Sequence, residues 1–579
     1  MDIKQQVLIA GILAMAFILW NNWQNYQAER LNPASNEMAL NENGVLNSNV
    51  PQQSQSGSDT PQAPSNAEIP GLVDTSGVNN FEAAGANSNQ YIKVETDLVT
   101  AIINTQGGSI ESVVLKQEAD KAETPEIGYS LLKNSPAEIY ISQSGLIGNS
   151  GTYPNHTTNY LTSKNEYSFS GTENGDEELR VPLQWRSPEG LNYTKTFVFK
   201  KDSYVIDVNF SVTNSSSQPW QGYLYGQFKR SQPVDANTGS FLQLPSFTGG
   251  VQYTPEEKYQ KVSFDDISDE NLTLNTDSGW IGMLQHYFVG VWMPQSTAEN
   301  PAQYNFYSSY KNNPLRPEYI MGFKSLNPLV VQAGQTGDVQ SSVFIGPKEQ
   351  KRLKAIQNEQ NVEGLALTVD YGWLTVISDP LFWILKTINN LVNNWGWSII
   401  LLTILIKLVF FPLSAASYKS MARMKKLAPR IETLKERFGD DRAALQQEMM
   451  KLYKTEKVNP AGGCLPILIQ IPVFIALYYV LLESVELRHA PFALWIQDLS
   501  SKDPYYILPI LMGLSMMLQF RLNPTPMEPM QQKIMMIMPI AMTFLFVTFP
   551  AGLVLYWVVN NVLSIAQQWT INKAIIKNQ

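Results

Sequence analysis

The sequence is poor in the residues that carry disulfide, metal and nucleophilic chemistry. Its 579 residues include one cysteine, Cys464, and three histidines. A single cysteine excludes any disulfide within the chain, so a domain outside the cytoplasm would have to be stable through its core alone, which this length allows. We also find no Gly-rich phosphate loop, no metal-ligand spacing and no nucleophile beside a base. The sequence therefore predicts a protein that is not an enzyme and has no cofactor.

Acidic side chains are scarce in one part of the chain only. Residues 391–579 contain 18 Lys+Arg and 11 Asp+Glu, a net charge of +7. The remaining 24 basic and 40 acidic residues give residues 1–390 a net charge of −16. Most long apolar runs lie in the basic part, whereas the acidic part is rich in Asn, Ser and Gln. The mean hydropathy of −0.16 is therefore an average over a water-soluble region and a membrane region.

Six apolar runs are candidates for membrane spans. The first covers residues 7–20, and its only A-x-A pattern lies inside the run, so we expect an uncleaved anchor over residues 1–23. The other five cover residues 395–413, 460–482, 505–520, 534–549 and 553–569. Residues 414–458 carry 11 basic and 6 acidic side chains, which predicts that this loop is cytoplasmic. The chain is therefore predicted to cross the membrane six times, with both termini in the cytoplasm.

A long region outside the cytoplasm is predicted after the anchor. Residues 24–90 are rich in Asn, Ser, Gln, Pro and Gly and predict a disordered tether. Residues 91–349 consist of short alternating runs between turn signals, which predicts a large antiparallel β-sandwich. Within it, residues 194–198 and 204–212 flank a polar turn and predict a hairpin.

The predicted sandwich shows no catalytic pattern. His156 and His286 are its only histidines, and no motif joins them to a nucleophile or to metal ligands. Its tryptophans and tyrosines are expected in the core, although a sugar-binding cleft would use the same residue types.

A connector is predicted at residues 350–394. Residues 350–361 are charged and helical in character, and residues 371–391 are apolar but interrupted by Asp379-Pro380. After the proline, one helical face collects Leu381, Ile384, Leu385, Ile388 and Leu391. The pattern predicts an amphipathic helix lying flat on the outer membrane surface.

The basic loop at residues 414–458 predicts a helical hairpin. Apolar residues recur at heptad spacing in its first arm, namely Met424, Leu427, Ile431, Leu434 and Phe438. Gly439-Asp440-Asp441 separates the arms, and Pro429 is expected to kink or restart the first arm. Two interpretations stay open: a recognition element, or a plain solvated hairpin whose apolar faces pack on each other.

Lys407 is the one charged residue in the apolar run at 395–413. A charge in a spanning helix costs about 2.5–3.5 kcal/mol on insertion scales, so such a residue usually faces protein or water. The lysine stem could instead extend to the headgroups, since Lys407 lies near one end of the run.

Other polar residues accompany Lys407 in the apolar runs. They are Thr403, Gln470, Asn560, Asn561, Gln567 and Gln568. Amides at membrane depth need partners, and hydrogen bonding between helices is a common role for them. That role does not require Lys407, so together these residues predict a hydrated cavity open toward the cytoplasm.

Three segments resemble those of a known family. They are residues 457–466 (KVNPAGGCLP), 490–496 (APFALWI) and 550–557 (PAGLVLYW). They are similar to the YidC family of bacterial membrane protein insertases, in the Gram-negative form with a large periplasmic domain. The resemblance covers almost the whole chain and is strongest from residue 391 to 570. Over residues 24–90 it is one of composition only.

The resemblance implies a multi-domain fold. It combines an α-helical polytopic bundle of six transmembrane helices, five of them in the core at residues 395–579, with the antiparallel β-sandwich in the periplasm. The sandwich is expected to look like a sugar mutarotase without catalysis. The protein is expected in the bacterial inner membrane.

The resemblance also implies a groove closed to the periplasm and open to the cytoplasm and lipid. Lys407 falls at the position of its cationic residue, where the family pattern has arginine. The lining positions are occupied by Thr403, Gln470, Tyr556, Trp557 and Asn560, with Trp557 standing where the pattern has tyrosine.

The implied partners are nascent membrane proteins, the lipid bilayer, the Sec translocon, and the ribosome and signal-recognition targeting factors, reached through the hairpin. No nucleic-acid recognition is expected. Two other functions stay open at this point. One is a solute transporter, although the sequence shows no inverted repeat. The other is a membrane-anchored sugar-binding or sugar-processing protein acting through residues 91–344.

Overall fold

The computed structural model describes most of the chain beyond residue 90. Its described ranges are 59–64, 90–149, 152–169, 177–232, 247–295, 302–313, 316–439, 441–456, 465–522 and 529–577. The predicted anchor at residues 1–23, most of the predicted tether and the motif residues 457–464 lie outside these ranges.

The described residues from 91 to 347 form nineteen β-strands in two sheets, which we call the β-domain. The larger sheet contains β1 (Tyr91–Glu95), β2 (Val99–Asn104), β3 (Ser109–Lys121), β4 (Thr124–Asn134), β5 (Ile139–Ile147), β6 (Glu166–Ser168), β10 (Trp220–Ser231), β13 (Thr273–Thr276), β16 (Tyr304–Lys311), β17 (Glu318–Ser325) and β18 (Leu329–Val331). The smaller sheet contains β7 (Glu178–Arg186), β8 (Leu191–Lys200), β9 (Val205–Asn214), β11 (Gly249–Thr254), β12 (Lys258–Val262), β14 (Trp280–Gln285), β15 (Phe288–Pro294) and β19 (Thr336–Pro347). A short helix, α1 (Phe264–Asp269), packs on β16 and β17.

The strand pairings follow the alternating sequence pattern. In β1, Ile92 and Val94 are buried while Tyr91 and Lys93 are exposed, because successive side chains of a strand point to opposite faces. The predicted hairpin is confirmed by β8 and β9, which pair antiparallel from Leu191↔Asn214 to Phe199↔Ile206. Among the described strands every pairing is antiparallel except that of β1 with β6.

The two sheets pack face to face through aromatic side chains. Tyr140 of the larger sheet donates a hydrogen bond of 3.1 Å to the Met283 carbonyl of the smaller one. The ring of Phe228 lies 6.4 Å from that of Trp292 across the interface. Gly226 sits beneath Trp292, where a Cβ atom would come within 2.7 Å of the indole. The aromatics of the β-domain therefore build its core, as the composition indicated.

Lys195 lies inside this core, and no carboxylate of the described residues pairs with it. Its side chain is fully buried, and its ammonium donates to the carbonyls of Gly108 at 2.7 Å, Ser144 at 2.9 Å and Gly107 at 3.3 Å. Burial lowers the pKa of Lys195 well below its usual value. All three N–H donors are satisfied, so this lysine ties the turn before β3 to the edge of β5.

Nine further helices follow the β-domain within the described residues. They are α2 (Gln350–Glu359), α3 (Thr375–Val392), α4 (Trp395–Val409), α5 (Phe411–Phe438), α6 (Arg442–Thr455), α7 (Leu465–Glu483), α8 (Ile507–Leu522), α9 (Pro529–Phe546) and α10 (Ala551–Lys577). Short 3-10 turns at Leu365–Thr368, Gly372–Leu374 and Val485–Leu487 complete the connections.

The predicted break at Asp379-Pro380 is wrong. Helix α3 runs through Pro380 without interruption. Proline removes one backbone donor near the helix start, and packing compensates for that loss because Leu381 and Leu385 are buried against the bundle. Leu391, at the end of the predicted apolar face, is 80% exposed, and the placement of this face on the membrane surface stays a prediction.

The apolar run at residues 395–413 does not form one straight helix. Helix α4 ends at Val409, and α5 begins at Phe411 with its axis turned by 64°. Pro412 stands in the first turn of α5, the position where proline starts a helix rather than continuing one.

No single helix among the described residues is both long enough and apolar enough to cross a bilayer. Trp395–Val409 and Phe411–Ser420 together meet both conditions, as a bent pair. The apolar stretches of the later helices, Gln470–Glu483, Ile507–Leu522 and Met536–Phe546, are shorter. The count of six spans stays a prediction.

Helices α5 and α6 form the predicted helical hairpin. Met424, Leu427 and Ile431 are buried together, and Met449, Leu452 and Tyr453 of α6 pack against them. Pro429 lies inside α5, so it does not restart the first arm, and a kink there stays a prediction. The apolar faces of the hairpin therefore pack on each other, and nothing in that packing assigns it a partner.

The β-domain is joined to the helices at the end of α7. The buried Lys348 ammonium lies 3.1 Å from Glu483 Oε2, and His286 Nε2 lies 2.8 Å from the Leu482 carbonyl. The Arg488 guanidinium donates to the Ala119 carbonyl at 2.6 Å and lies 5.1 Å from the Tyr129 ring centre. We call these contacts the junction.

Residues 59–64 depart from the prediction of an unordered tether. They lie against the larger sheet, where Asp59 forms an ion pair of 2.6 Å with Lys229.

Candidate functional site

Polar side chains follow one face of helix α10. Tyr556, Asn560, Ser564 and Gln567 are spaced four, four and three residues apart, which places them on one side of a helix. We call this set the polar face. Tyr556, Asn560 and Ser564 are buried in the bundle, although most of the surrounding sequence is apolar. From Tyr556 to Ser564 the polar face extends roughly 12 Å, at 1.5 Å per residue.

Lys407 reaches the polar face from α4. Its Nζ donates a hydrogen bond of 2.7 Å to Ser564 Oγ, which in turn donates to the Asn560 carbonyl at 2.7 Å. The side chain is half-buried, and no carboxylate of the described residues pairs with it. A lysine ammonium has three donors, and this contact uses one. Lys407 therefore points toward α10 with a positive charge that no described side chain neutralises.

Gln470 and Tyr556 form a second contact at the other end of the polar face. Gln470 Nε2 of α7 donates to the Tyr556 hydroxyl at 3.2 Å. The next residue, Trp557, packs edge-on against Phe474 with ring centres 4.6 Å apart. Lys407 and Gln470 thus contact the same face of α10 two turns apart, which the sequence could not show because they lie on different helices.

Thr403 precedes Lys407 by four residues on α4. It is buried on α4, but its hydroxyl donates 2.6 Å to the Ile399 carbonyl of its own helix. The donor hydrogen is therefore used within α4, a common outcome for threonine in an apolar helix.

Several buried polar atoms at the site have no partner among the described residues. They are Asn560 Oδ1, Trp557 Nε1 and both side-chain polar atoms of Gln567. Burying such an atom without a hydrogen bond costs about 1–3 kcal/mol, so these groups favour water or a bound polar chain beside them. Five of the six predicted site residues lie on α10 or contact its polar face, while the Thr403 hydroxyl bonds within α4, and their role in a groove stays a prediction.

Sequence reasoning missed Ser564 and Tyr418. Ser564 is the residue that Lys407 contacts, and the Tyr418 hydroxyl of α5 lies within hydrogen-bonding reach of it. Ser564 follows Asn560 by four residues, and this spacing could have identified it. The sequence gave no indication of Tyr418, because its contact with α10 depends on the bend between α4 and α5.

The start of α10 is closed by a loop. Ala551 and Gly552 donate backbone hydrogen bonds to Ser501 at 2.7 Å and Leu499 at 2.9 Å. A Cβ atom at Gly552 would lie 3.1 Å from the Leu499 carbonyl oxygen, so glycine allows the loop to approach closely. Asp503 fixes the same loop by accepting from Trp495 Nε1 at 3.0 Å and from the Leu508 backbone at 2.7 Å. The polar face is thus covered at its Tyr556 end.

Comparisons with known proteins cover the whole chain. The family model described as "60Kd inner membrane protein" matches residues 387–578, and that described as "YidC periplasmic domain" matches residues 91–384. The chain is 44% identical to "Membrane protein insertase YidC" of Methylobacillus flagellatus over 575 residues, covering 99% of this chain and 98% of the relative. It is 43% identical to the protein of the same name from Azotobacter vinelandii over 581 residues, covering 100% and 99%.

Solved structures are more distant. One titled "Active YidC insertase crystal structure with the first transmembrane domain resolved" is 19% identical, with a TM-score of 0.38 over 83% of this chain and 92% of that one. A galactose mutarotase related enzyme from Lactobacillus acidophilus is 11% identical, with a TM-score of 0.30 over 44% of this chain and 97% of that one. Neither likeness is close enough to support an argument, so the expected mutarotase fold stays a prediction.

Proposed function

Since this chain belongs to the YidC family of membrane protein insertases, we propose that it integrates membrane proteins along the polar face of α10, with Lys407 as the cation of a groove. It is an inner-membrane protein with a periplasmic β-domain and a helical C-terminal region. Insertion needs no nucleotide in this scheme, because burial of the substrate's own apolar segment drives it.

The observation that carries the proposal is the charge of Lys407 without a counter-ion. Its ammonium is held by Ser564 alone among the described residues and keeps two donors for another group. At about 4 Å and an effective dielectric constant of about 20, such a charge attracts a carboxylate by roughly 4 kcal/mol. An acidic flank of an incoming protein therefore enters the bilayer at a lower cost.

The remaining groups of the polar face would bind water and the polar backbone of a substrate. Asn560 Oδ1 and the Gln567 amide have no described partner, so they can bind water or a substrate backbone. The loop that covers Tyr556 restricts the route at that end. This combination supports a groove closed to the periplasm and open to the cytoplasm.

The substrate's apolar segment would leave along lipid-facing helices. Large apolar side chains are exposed on α4, α8 and α9, among them Leu408, Val409, Leu514, Ile537 and Phe544. Burying an apolar side chain beside them gains roughly 25 cal/mol per Å² removed from water. The polar flank and the apolar segment thus have different paths.

The remaining features belong to the same proposal. We place the hairpin of α5 and α6 and both termini in the cytoplasm, with six spans in all. We also propose that the hairpin contacts the ribosome, targeting factors and the Sec translocon, on the family resemblance alone.

Substitution of Lys407 tests the proposal. The measurement is integration of two substrates that differ only in flanking Asp residues, at matched protein levels. We expect Lys407→Arg to retain function and Lys407→Ala to impair the acid-flanked substrate at least tenfold more than the neutral one. Lys407→Glu should be worse, because repulsion replaces attraction in a weakly screened site.

Lys419→Ala is the matched control. Lys419 is an exposed lysine on α5 for which the described residues show no hydrogen bond or ion pair with the polar face. If Lys407→Ala and Lys407→Glu insert both substrates as well as the parent, Lys407 serves only as an interfacial anchor and the proposal fails.

A further inference from the structure

Residues 59–64, which we call the strap, lie in a groove on the larger sheet of the β-domain. Asp59 enters it with one carboxylate oxygen 2.6 Å from Lys229 Nζ and the other 3.6 Å from Lys311 Nζ. The Asp59 side chain is only 18% exposed and that of Lys229 14%. The Asp59 carboxylate is thus largely removed from water. Burying a charge costs free energy unless it is paired, and here the two lysines provide that pairing.

The pocket needs one additional negative charge. Lys229 also pairs with Glu318 at 2.8 Å, so without the strap two lysines face one carboxylate. Asp59 makes the cluster neutral. Burial raises the pKa of Asp59, but the hydrogen bond and charge of Lys229 outweigh burial and hold that pKa below its usual value. The pocket is therefore complementary to a carboxylate.

Side chains of the sheet also bind the strap's backbone. The Asp59 carbonyl accepts from Gln227 Nε2 at 2.9 Å, and the Gln62 carbonyl accepts from Lys324 Nζ at 3.0 Å. The Pro64 carbonyl accepts from Asn149 Nδ2 at 3.4 Å. Because these contacts are made to backbone carbonyls, they favour an extended main chain and do not depend on a particular side-chain sequence. Pro61 and Pro64 favour that extended conformation and reduce the entropy lost on docking.

The donor of Gln227 is also held by side chains of the β-domain itself. This side chain is fully buried, its amide oxygen accepts from Tyr307 at 2.6 Å, and its nitrogen also donates to Gln143 at 2.9 Å. The network fixes the amide with its second N–H toward the strap. A preoriented donor is typical of a binding site, because little freedom is lost when the ligand docks.

The far end of the strap makes an apolar contact. Ala63 packs on a small cluster of Ile147, Tyr223 and Tyr225 that is separate from the main core. Along the six residues of the strap, the groove thus offers a pocket for a carboxylate, three side-chain donors to backbone carbonyls and an apolar surface that contacts Ala63.

We propose that this groove is a peptide-binding site of the β-domain for extended, proline-containing chains with an acidic residue at the start, and that the strap is its resident ligand. The proposal goes beyond insertion and does not depend on it. Docking would also shorten the free chain between the anchor and the β-domain from residues 24–90 to residues 24–58, roughly halving its reach at about 3.5 Å per residue.

The first test measures docking of the strap in the full-length protein. In a Cys464→Ser background, Ala63→Cys should react at least tenfold more slowly with an impermeant thiol reagent than Gln62→Cys, whose side chain is exposed. Adding Asp59→Lys should remove that difference, because lysine is repelled by Lys229 and Lys311. Equal rates at the two positions without Asp59→Lys would overturn the proposal.

The second test measures binding of a labelled peptide with the sequence of residues 57–66 to full-length protein in nanodiscs. The parent should bind it weakly, since the resident strap competes at high effective concentration. Asp59→Lys should bind it at least tenfold more tightly, and adding Lys229→Glu should abolish binding. Glu126→Lys, an exposed acidic site elsewhere, should behave as the parent. If Asp59→Lys does not increase peptide binding, the groove is not an exchangeable peptide site.

Discussion

Each region of this protein holds a lysine that no carboxylate of the described residues neutralises. In the β-domain, Lys195 is fully buried and donates to three backbone carbonyls. In the helical region, Lys407 is half-buried and donates to one hydroxyl, that of Ser564. The first ammonium has no donor left to offer, whereas the second has two. The Lys195 amino group therefore stabilises the fold, whereas that of Lys407 is available to a ligand.

The same contrast extends to the surroundings of each lysine. Lys195 lies 5.1 Å from the ring centre of Phe197 and 5.4 Å from that of Phe210, inside a closed sandwich. Lys407 lies two residues before the end of α4, beside a bend and beside buried polar atoms without partners. Substitution should therefore affect stability at Lys195 and activity at Lys407.

The largest expected effect is that of Lys195→Ala. It removes the stem from a closed core and leaves carbonyls of Gly107, Gly108 and Ser144 without their donor. We expect the free energy of unfolding to fall by roughly 3 kcal/mol or more. Denaturant unfolding of the full-length protein, followed by tryptophan fluorescence, measures it.

Lys93→Ala is the control, since Lys93 is an exposed lysine on β1 and should change stability by less than about 0.5 kcal/mol. If the Lys195→Ala protein is as stable as the Lys93→Ala protein, Lys195 does not stabilise the fold.

The next effect concerns the junction between the two regions. Burial raises the pKa of Glu118 to about 7, and Glu349 and Glu486 raise it while Arg488 and Arg352 lower it. A raised pKa contributes stability that is complete below about pH 4.5 and is lost as the pH rises through about 7. Glu118→Gln should flatten this dependence and stabilise the protein by roughly 2 kcal/mol above that pH.

Unfolding free energies from pH 4.5 to 8 measure the change, with the exposed Glu123→Gln as control. If Glu118→Gln keeps the parent's pH dependence, Glu118 does not couple the two regions in that range.

A smaller effect on stability is expected for Lys407→Met. Methionine keeps the length of the stem and removes a charge from an apolar helix, so the unfolding free energy should change by less than about 1 kcal/mol. Integration of acid-flanked substrates should nevertheless fall. A loss of stability as large as that of Lys195→Ala would mean that both lysines are structural.

The smallest effect is expected for Ser564→Ala. This change removes the one described acceptor of Lys407 but leaves its charge, so integration of acid-flanked substrates should stay within about twofold of the parent. The control is Ser515→Ala on α8, whose hydroxyl accepts from Asn561 at 2.9 Å instead. If Ser564→Ala impairs integration as much as Lys407→Ala, the hydroxyl positions the charge and Lys407 is less free than the comparison states.

Local pattern was sufficient for much of the fold. Alternation predicted the β8–β9 hairpin, and heptad spacing predicted the apolar contacts of Met424 and Ile431, because both depend on side chains a few residues apart. The break predicted at Pro380 was wrong because the helix continues there, and α5 also continues through Pro429. Pro412 lies in the first turn of a new helix that the apolar run did not predict.

The sequence identified polar residue types of the candidate site, but it did not identify their hydrogen-bond partners. The charge of Lys407 in an apolar run, and the amides of Gln470 and Asn560, identified the polar residues from residue type alone. Their partners lie on other helices: Ser564 for Lys407 and Tyr556 for Gln470.

The sequence by itself determined the uneven charge, the apolar runs, the strand alternation and the residue types of the site. Only the tertiary structure decided which of two lysines without counter-ions is satisfied and which is available. It also decided that residues 59–64 of an apparently featureless tether lie in a groove. The physical reason is the same in each case: satisfaction of a charge depends on acceptors far apart in sequence, which folding alone brings within hydrogen-bonding distance.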